Sequence, residues 1–451
     1  MAQMKEHIEQ TRRALRKNEL KSILNQYDSE LLGLSQDNQK KKYRKMLTSP
    51  FQLFRGSAFL FYFDLMRMPL SYHTPDDKPT WLQGDLHFEN FSAFQNENGQ
   101  MVFDTDDFDE GFPGSYLADV LRMAASIALY AEELGYDEES QKQYIQDYAN
   151  AYYGQMKAFA DGDEDPDEFV FTQHNTEGPV LNAIKAVEKQ QADDVLNHFT
   201  TVEDGQRRFV RSGKLESLTK EERMALEEAW PEYIKSIDEE NQQHNGFFQI
   251  KDVVKVKGAG TGSIGLQRFN ILIEGDKNGE HRDDIVLEAK EAGTPAPAHF
   301  FTHEALFDGE EPHHGRRVIK SQKAMHHLED PFLGYFKIGD HHFYVREKSP
   351  FGEGVNNEEL QDPKNMSKTV EIMGKVTAKV HARADADADE IKLSHETEKE
   401  ILHAIGDHLK GFVSEITSWS MYYKNQVHED YELFCEWCKE EFELDTEVEQ
   451  V

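Results

Sequence analysis

The chain has 451 residues, of which 38% are hydrophobic and 11% aromatic, enough for two or three domains or one large bilobal one. This composition excludes a chain that is disordered throughout, because its apolar side chains can build hydrophobic cores. The formal net charge of −35 argues against nonspecific nucleic-acid binding and against docking on anionic membranes, since both need clustered lysine and arginine.

The N-terminal part of the chain has a helical pattern. Residues 1–47 are charged, and no apolar signal-peptide core follows the first residues. A strongly apolar helical segment then runs from Ser49 to Asp64. Its most apolar stretch, residues 58–63, follows Arg55 and is too short to span a membrane. We therefore expect a cytoplasmic protein that has no membrane partner.

An aspartate and an asparagine at catalytic spacing follow, within Gln83-Gly-Asp-Leu-His-Phe-Glu-Asn90. Asp85 and Asn90 stand at the Asp-to-Asn interval of the H-R-D-x-x-x-x-N catalytic loop of phosphoryl-transfer enzymes. An aspartate that accepts a hydroxyl proton must point at the nucleophile, whereas the asparagine oxygen must reach a metal ion beside the phosphates. Asp85 is therefore the candidate general base, and Asn90 is a candidate catalytic residue and Mg²⁺ ligand.

A cluster of acids ends the β-hairpin that is predicted at residues 91–103, where an Asn-Glu-Asn-Gly turn joins two short strands. Asp107 stands where the aspartate of a D-F-G motif would, so it is the preferred second Mg²⁺ ligand and the third candidate catalytic residue. Asp104 is a further candidate metal ligand. Asp106 and Asp109 are alternates, because successive side chains of a strand point to opposite faces.

Helices are predicted for the next part of the chain. Apolar residues at intervals of three and four indicate a helix from about Tyr116 to Leu134. Asp119, near its start, is interpreted as a structural acid that ties down a loop. Residues from about 137 to 246 are predicted to be a largely helical insertion, of the kind that forms substrate pockets in such enzymes.

The pattern becomes β-rich at Phe247, and a glycine-rich segment follows the first predicted strand. Its glycines satisfy G-x-G-x-x-G, which alone is a weak signal. A dinucleotide-binding fold requires a helix directly after such glycines, but here a second strand follows. Strand, glycine turn and strand are typical of the kinase flap, whose backbone amides cover phosphates. The candidate nucleotide-binding residues are therefore Gly260, Gly262, Ser263 and Gly265.

Lys290 ends a predicted strand, Ile-Val-Leu-Glu-Ala-Lys, which is similar to the V-A-I-K strand whose lysine holds the α and β phosphates of ATP. Burial of an ammonium group without a partner is costly, so a partner is expected. The predicted helix from Arg317 to Leu328 has Gln322 where a glutamate would supply it, and Glu304 is a second candidate. In the alternative interpretation, Lys290 faces solvent on an edge strand.

The C-terminal part, from Asn365 onward, is predicted to be helical. The chain has two cysteines, Cys435 and Cys438, with no second pair and no nearby histidines, so they lack a zinc-ligand set. We expect them to be buried or half-buried thiols on a terminal helix.

Two families resemble this chain. The Gly-Asp-Leu-His-x-x-Asn sequence at 84–90, followed by Asp107-Phe-Asp, Pro113 and Asp119, resembles the aminoglycoside and choline kinases of the protein-kinase-like superfamily. Nearly the whole chain resembles an uncharacterised bacterial family known as domain of unknown function 2252, whose members share Phe-Arg-Gly at 54–56. The first resemblance implies ATP and Mg²⁺ as cofactors.

The order of the elements differs from ordinary kinases, in which the glycine loop and the lysine precede the catalytic loop. A circular permutation reconciles the two orders. In this hypothesis the fold is α+β, kinase-like and bilobal. Residues 247–350 form a small antiparallel-sheet nucleotide lobe, and residues 1–246 and 351–451 together form a large helical catalytic lobe that carries the catalytic loop and metal hairpin at 83–110.

This arrangement requires Lys290 and Asp107 to lie within reach of one ATP–Mg²⁺. The leading functional hypothesis is an ATP- and Mg²⁺-dependent phosphotransferase that acts on a hydroxyl-bearing small molecule or protein. Its partners would be the nucleotide and an acceptor that the sequence does not specify. One alternative is a nucleotide-binding pseudokinase or nucleotidyl transferase. Another is an acidic metal-dependent phosphohydrolase that uses Asp85, His87 and the acids at 104–109.

Overall fold

The chain folds into helices and small antiparallel sheets, the α+β class that the sequence predicts. No helix within the described ranges combines the length and the apolar character needed to cross a membrane. The computed structural model describes residues 2–96, 98–189, 192–203, 205–243, 246–257, 262, 264–275, 284–302, 312–326, 330–348, 352–385 and 393–445.

Helices form the N-terminal part, as predicted. Serine side chains cap two of them: Ser35 accepts a hydrogen bond from the Asn38 amide, and Ser49 accepts one from the Gln52 amide. The predicted apolar helix breaks at Ser57 into two. The elements are α1 (Ala2–Asn25), a π-helical turn (Gln26–Leu31), α2 (Gln36–Met46), α3 (Pro50–Gly56) and α4 (Ala58–Leu65).

Four short strands and one buried helix carry or flank the candidate site residues at 83–110. Strand β1 (Thr80–Leu82) pairs with β4 (Phe112–Gly114), and between them β2 (Phe91–Gln95) and β3 (Met101–Thr105) form the predicted hairpin. Helix α5 (Leu117–Glu133) follows, and nearly all of its side chains are buried. The predicted helix from Tyr116 to Leu134 is therefore confirmed.

The segment that follows α5 contains strands as well as the predicted helices. The prediction of a largely helical segment was incomplete, because three short strands with exposed polar residues have too weak an alternation to be recognised. The elements in chain order are α6 (Glu138–Ala160), α7 (Gly178–Glu188), α8 (Ala192–Phe199), β5 (Thr200–Glu203), β6 (Gln206–Phe209), β7 (Leu215–Ser217) and α9 (Lys220–Ser236).

Among the described residues, six strands form one antiparallel sheet in the order β11-β12-β10-β9-β8-β7. The four strands predicted for the β-rich segment are present, and the helix begins three residues before the predicted Arg317. Strand β11 was not predicted. The new elements are β8 (Ile250–Val256), β9 (Arg268–Ile273), β10 (Ile285–Ala292), α10 (His314–Met325), β11 (Gly334–Ile338) and β12 (His341–Glu347).

Helices from both ends of the chain share one hydrophobic core. Helix α11 packs along α6, and α13 packs against α1, α5 and α6. Cys435 is half-buried and Cys438 is buried on α13, as expected. The remaining elements are β13 (Gly352–Glu353), which pairs with β2, α11 (Pro363–Arg383), α12 (Thr397–Ile405) and α13 (Leu409–Phe442).

The six-stranded sheet has a second core of its own. Trp230 and Tyr233 of α9 pack there with Leu287 and Phe336 from the strands. Because α9 and β7 precede residue 247, the packing unit of the sheet includes residues that lie before the predicted β-rich segment. The candidate site residues at 83–110 lie between this sheet and the helical core.

Candidate functional site

A cavity of about 260 Å³ lies where the 83–110 stretch faces the six-stranded sheet. The N-terminal π-helical turn and the residues after it close another side of the cavity. Two of the three candidate catalytic residues follow β1, and the third follows β3. The lining residues include Tyr27, Leu34, Arg55, Gln83, Asp85, His87, Asn90, Asp107, Asp109, Glu110, Gly262, Arg268 and Lys290.

A glycine and a glutamine fix the loop that carries Asp85. Gly84 has φ of +90°, and a Cβ there would lie 2.1 Å from the carbonyl oxygen of Glu110, so only glycine fits. The side chain of Gln83 accepts a hydrogen bond from the Asp85 amide at 2.9 Å and donates one to the carbonyl oxygen of Asp107. The loop and the acidic segment are therefore joined directly.

Asp119 of α5 anchors the same loop through hydrogen bonds to its backbone. Its carboxylate is fully buried and accepts hydrogen bonds from the amides of Gln83 at 2.7 Å and Gly84 at 3.1 Å. His381, near the end of α11, places Nε2 3.3 Å from the same carboxylate and Nδ1 2.9 Å from the Tyr152 hydroxyl. The interpretation of Asp119 as an acid that ties down a loop is confirmed.

Asp85 combines burial with a cationic partner. Arg122 of α5, fully buried, donates from Nε to Asp85 Oδ1 at 2.5 Å, and its guanidinium stacks 4.4 Å from the Phe54 ring centroid. Burial raises the pKa of Asp85, Arg122 lowers it, and the balance is a pKa of about 6. Asp85 is therefore mostly ionised at neutral pH and basic enough to accept a proton.

Asn90 is oriented by the backbone of its own loop. Its Nδ2 donates to the carbonyl oxygen of Asp85 at 2.8 Å, so the amide oxygen is the atom left for a ligand in the cavity. His87 lines the same wall and is 2% exposed, with no hydrogen-bond partner for Nδ1. Burial holds the pKa of His87 well below its ordinary value, so the imidazole is neutral.

Lys290 reaches across from the sheet to the acidic segment. Its ammonium pairs with the carboxylate of Asp109 and lies 3.9 Å from Oδ1 of Asp107. Tyr344 of β12 donates its hydroxyl to the other Asp109 oxygen at 2.7 Å. Burial lowers the pKa of Lys290 and Asp107 opposes the shift. The predicted proximity of Lys290 to Asp107 is thus met, and the solvent-exposed alternative for Lys290 is wrong, because its side chain is 6% exposed.

Among the described residues, the partner of Lys290 is not the Gln322 that the sequence suggested. Gln322 lies on α10, and the structure gives it no contact with Lys290. Glu304 lies outside the described residues. The partner is Asp109, the third residue of the D-F-G-like triplet, where an acid replaces glycine. The replacement of glycine by an acid was the sequence signal for this partner, since an extra carboxylate in this position can form an ion pair with a buried lysine.

Asp107 is an anion in this setting. Its side chain is 47% exposed, toward the cavity. Enclosure by the cavity walls raises the pKa of Asp107, but Lys290 and Arg346 outweigh this and hold it below its ordinary value. Asp107 is therefore available as a carboxylate ligand.

Asp104 does not belong to the cavity, so its assignment as a metal ligand is corrected. It is 5% exposed and forms a buried ion pair with Lys379 of α11, and His326 Nε2 lies 3.8 Å from its Oδ1. Asp106 accepts a hydrogen bond from the Ser92 hydroxyl at 2.8 Å and does not line the cavity. Strand alternation turns Asp104 toward α11, as the sequence pattern allowed.

The glycine-rich turn joins two antiparallel strands, β8 and β9, which is the flap topology rather than the dinucleotide one. Gly262 lines the cavity, whereas Gly260 and Ser263 lie outside the described residues. Gly265 has φ of +95°, and a Cβ there would lie 2.4 Å from Leu34, so the turn packs closely on the N-terminal segment.

Three residues of the site were missed by sequence reasoning: Glu110 and Arg268, which line the cavity, and Arg122, which contacts Asp85 from outside it. Arg122 had a usable signal, because it is the one cation on a helix whose other residues are mostly apolar. Glu110 accepts a hydrogen bond from the Ala296 amide, and burial raises its pKa to about 7. Arg268 begins β9 directly after the glycine-rich turn. No local pattern distinguishes Glu110 or Arg268 from an ordinary surface residue.

Comparison with known proteins gives one match. The family described as "Uncharacterized protein conserved in bacteria (DUF2252)" matches residues 36–437. No curated protein and no solved structure matches the chain. The kinase-like interpretation therefore depends on the geometry of the cavity. Because the family match spans most of the chain, the protein belongs to this uncharacterised bacterial family.

Proposed function

We propose that this protein is a kinase-like phosphotransferase that transfers the γ-phosphoryl group of ATP, with Mg²⁺, to a hydroxyl group of a small molecule or protein. One observation carries the proposal: Lys290 pairs with Asp109 and approaches Asp107 in the same cavity that Asp85 and Asn90 line. A strand lysine beside a glycine turn, opposite a base, an asparagine and an aspartate, matches the parts that ATP-dependent phosphoryl transfer requires.

Asp85 is the proposed general base. The hydrogen bond from Arg122 goes to its Oδ1, so Oδ2 is the oxygen that would meet the acceptor. As the acceptor oxygen bonds to the γ-phosphorus, its proton passes to Asp85, and the bond between the γ-phosphorus and the bridging oxygen of ADP breaks. Lys290 would release the Asp109 carboxylate and bind phosphate oxygens in its place.

Asn90 and Asp107 are the residues that would hold Mg²⁺. Asn90 fits this role because its hydrogen bond to the Asp85 carbonyl uses the amide nitrogen and leaves the amide oxygen for the metal. Asp107 fits because Lys290 and Arg346 keep it ionised. Oxygen ligands from few side chains suit Mg²⁺, which takes its other ligands from phosphates and water. Bound Mg²⁺ would neutralise phosphate charge.

The fold that accompanies this proposal is a circularly permuted, bilobal kinase-like one. It is supported by the position of α11: His381, near its C-terminal end, contacts the Asp119 carboxylate that holds the catalytic loop. In kinases of ordinary order, a helix leads directly into that loop. The shared core of helices from both chain ends also agrees with this arrangement.

Nucleotide titration tests the proposal. Isothermal titration calorimetry would measure binding of ATP, ADP and GTP with and without MgCl₂, and Mg²⁺-dependent ATP binding is expected. Lys290→Met should weaken ATP binding, and thermal melting without nucleotide would check that the variant is folded, because Lys290 is the buried partner of Asp109. Absence of binding for every nucleotide would overturn the proposal.

Labelled ATP separates the proposal from its alternatives. Transfer of label from γ-³²P-ATP to acceptors in a bacterial metabolite or protein extract is expected. Transfer from α-³²P-ATP instead would indicate a nucleotidyl transferase, and binding without transfer would indicate a pseudokinase. A two-metal hydrolase would leave Lys290 and the glycine-rich turn without a role, so it is the less favoured alternative.

A further inference from the structure

We infer that Arg268 is a second phosphate-binding side chain, which acts beside Lys290 and makes the cavity selective for nucleoside di- and triphosphates over monophosphates. This inference rests on the proposed function and specifies which nucleotides the cavity binds. Arg268 begins β9, immediately after the glycine-rich turn, and its Cα lies opposite that of Lys290 in the β9–β10 register. Both side chains line the cavity.

The guanidinium of Arg268 has unused hydrogen-bonding capacity. Its Nε is buried without a hydrogen-bond partner. Its ion-pair partner is Glu288, whose carboxylate lies 3.5 Å from Nη1 of Arg268. This distance is longer than that of a good charge-assisted hydrogen bond. A buried donor without a partner is costly, so a ligand that supplies an acceptor would relieve the cost.

Glu288 cannot neutralise its surroundings alone. Arg346 lies 3.3 Å and Lys348 3.2 Å from it, so three cations, with Arg268, share one buried carboxylate. Because Glu288 is shared by three cations and lies 3.5 Å from Arg268, its pairing with Arg268 is a loose one that a phosphate could replace.

Phosphate is the anion that fits the geometry. A guanidinium offers a planar fork of donors that matches two phosphate oxygens, whereas the Lys290 ammonium is a point charge. Side chains directly opposite on antiparallel strands lie about 5 Å apart at Cβ, so their head groups can hold neighbouring phosphate groups of one chain. A monophosphate would engage one of the two cations and leave the other unpaired.

Calorimetry of Arg268→Gln tests this inference. In the presence of MgCl₂, we expect the variant to lose ATP and ADP affinity by roughly 10- to 100-fold, with a much smaller change for AMP. Lys348→Gln is the matched control, because it also removes a cation from Glu288 but does not line the cavity. The control should bind all three nucleotides as the wild type does.

Arg268→Lys provides a second variant if the first fails to fold, since it keeps the charge and removes the fork. We expect it to bind ATP and ADP more weakly and AMP unchanged. Wild-type affinity for ATP in a folded Arg268 variant, or an equal loss in Lys348→Gln, would overturn the inference and leave the proposed function standing. Failure of the wild type to bind any nucleotide would instead overturn the proposed function.

Discussion

Lys290 and Asp109 are 181 positions apart in the chain and form an ion pair inside the cavity, where the Tyr344 hydroxyl holds the second Asp109 oxygen. The ammonium that would bind phosphate is therefore already occupied by a carboxylate. A nucleotide bound as proposed would have to compete with Asp109 for Lys290, and its phosphates would lie beside the negative charge of Asp109.

Asp109→Asn should strengthen binding of ATP in the absence of Mg²⁺, by on the order of tenfold, because it removes both the competitor and the repulsion. Calorimetry in EDTA would measure this. Tyr344→Phe is the control, since it deletes the hydroxyl contact but keeps the carboxylate charge, and it should change affinity little. Weaker ATP binding by Asp109→Asn would contradict the competition.

Two aspartates on the same acidic segment should respond in opposite ways. Asp107→Asn is expected to abolish Mg²⁺-dependent turnover and the Mg²⁺-dependent part of ATP affinity, with little loss of stability, because Asp107 faces the cavity. Asp104→Asn should cost about 3–5 kcal/mol of unfolding free energy, because it removes the carboxylate of a buried ion pair with Lys379. Urea unfolding and calorimetry of both variants would show whether this division holds; full turnover by Asp107→Asn would refute its role.

Asp85→Asn should lower kcat by ~10²–10⁴-fold, the usual effect of removing a general base, and leave ATP affinity unchanged. The asparagine oxygen can still accept the hydrogen bond from Arg122, so the loop should keep its position. Steady-state kinetics with an acceptor, combined with calorimetry, would separate the two quantities. Loss of ATP affinity in step with kcat would indicate a structural rather than a chemical role.

A buried pair of carboxylates away from the cavity predicts a pH-dependent stability. Burial raises the pKa of Glu398 from 4.5 to about 7, and neighbouring Asp385 and Glu396 add to the shift. Between these values the folded state holds a proton that the unfolded chain lacks, so stability falls as pH rises from about 4.5 to about 7.

Glu398→Gln removes this titration and should flatten the dependence of Tm on pH across that window. The variant should gain stability relative to the wild type as the pH rises, and the gain should reach its full value above pH 7. Thermal melting from pH 5 to pH 8 would measure it. Glu400→Gln on the same helix removes an equal charge from a half-buried site and serves as the control. Parallel Tm curves for Glu398→Gln and the wild type would rule out the pair as the source.

Local spacing predicted a large part of the site, because the groups involved are close in sequence. The Asp85–Asn90 interval, the hairpin and the strand–turn–strand around Gly262 each depend on a few neighbouring residues. The structure places Asp85, Asn90, Gly262 and Asp107, which follows the hairpin, at one cavity. Short-range turn and strand preferences are sufficient for such features.

Long-range pairing could not be predicted in the same way. Lys379 reaches Asp104 from 275 positions away, and nothing in the acidic segment shows which of its carboxylates will face a helix rather than a cavity. Arg122 meets Asp85 for a similar reason, through the packing of α5 behind the loop. Such choices are made by the tertiary packing of whole elements, which no local window contains.

Asp119 accepts hydrogen bonds from the amides of Gln83 and Gly84 and contacts the imidazole of His381. The loop and His381 are far apart in the sequence. The position of Asp85 therefore depends on how helices α5 and α11 are placed relative to each other, and not on the peptide that precedes β1. Changes in the length of the connection at residues 66–79 should leave the loop where it is, whereas loss of the Asp119 carboxylate would remove the link to α11 and leave Arg122 as a contact between α5 and the loop.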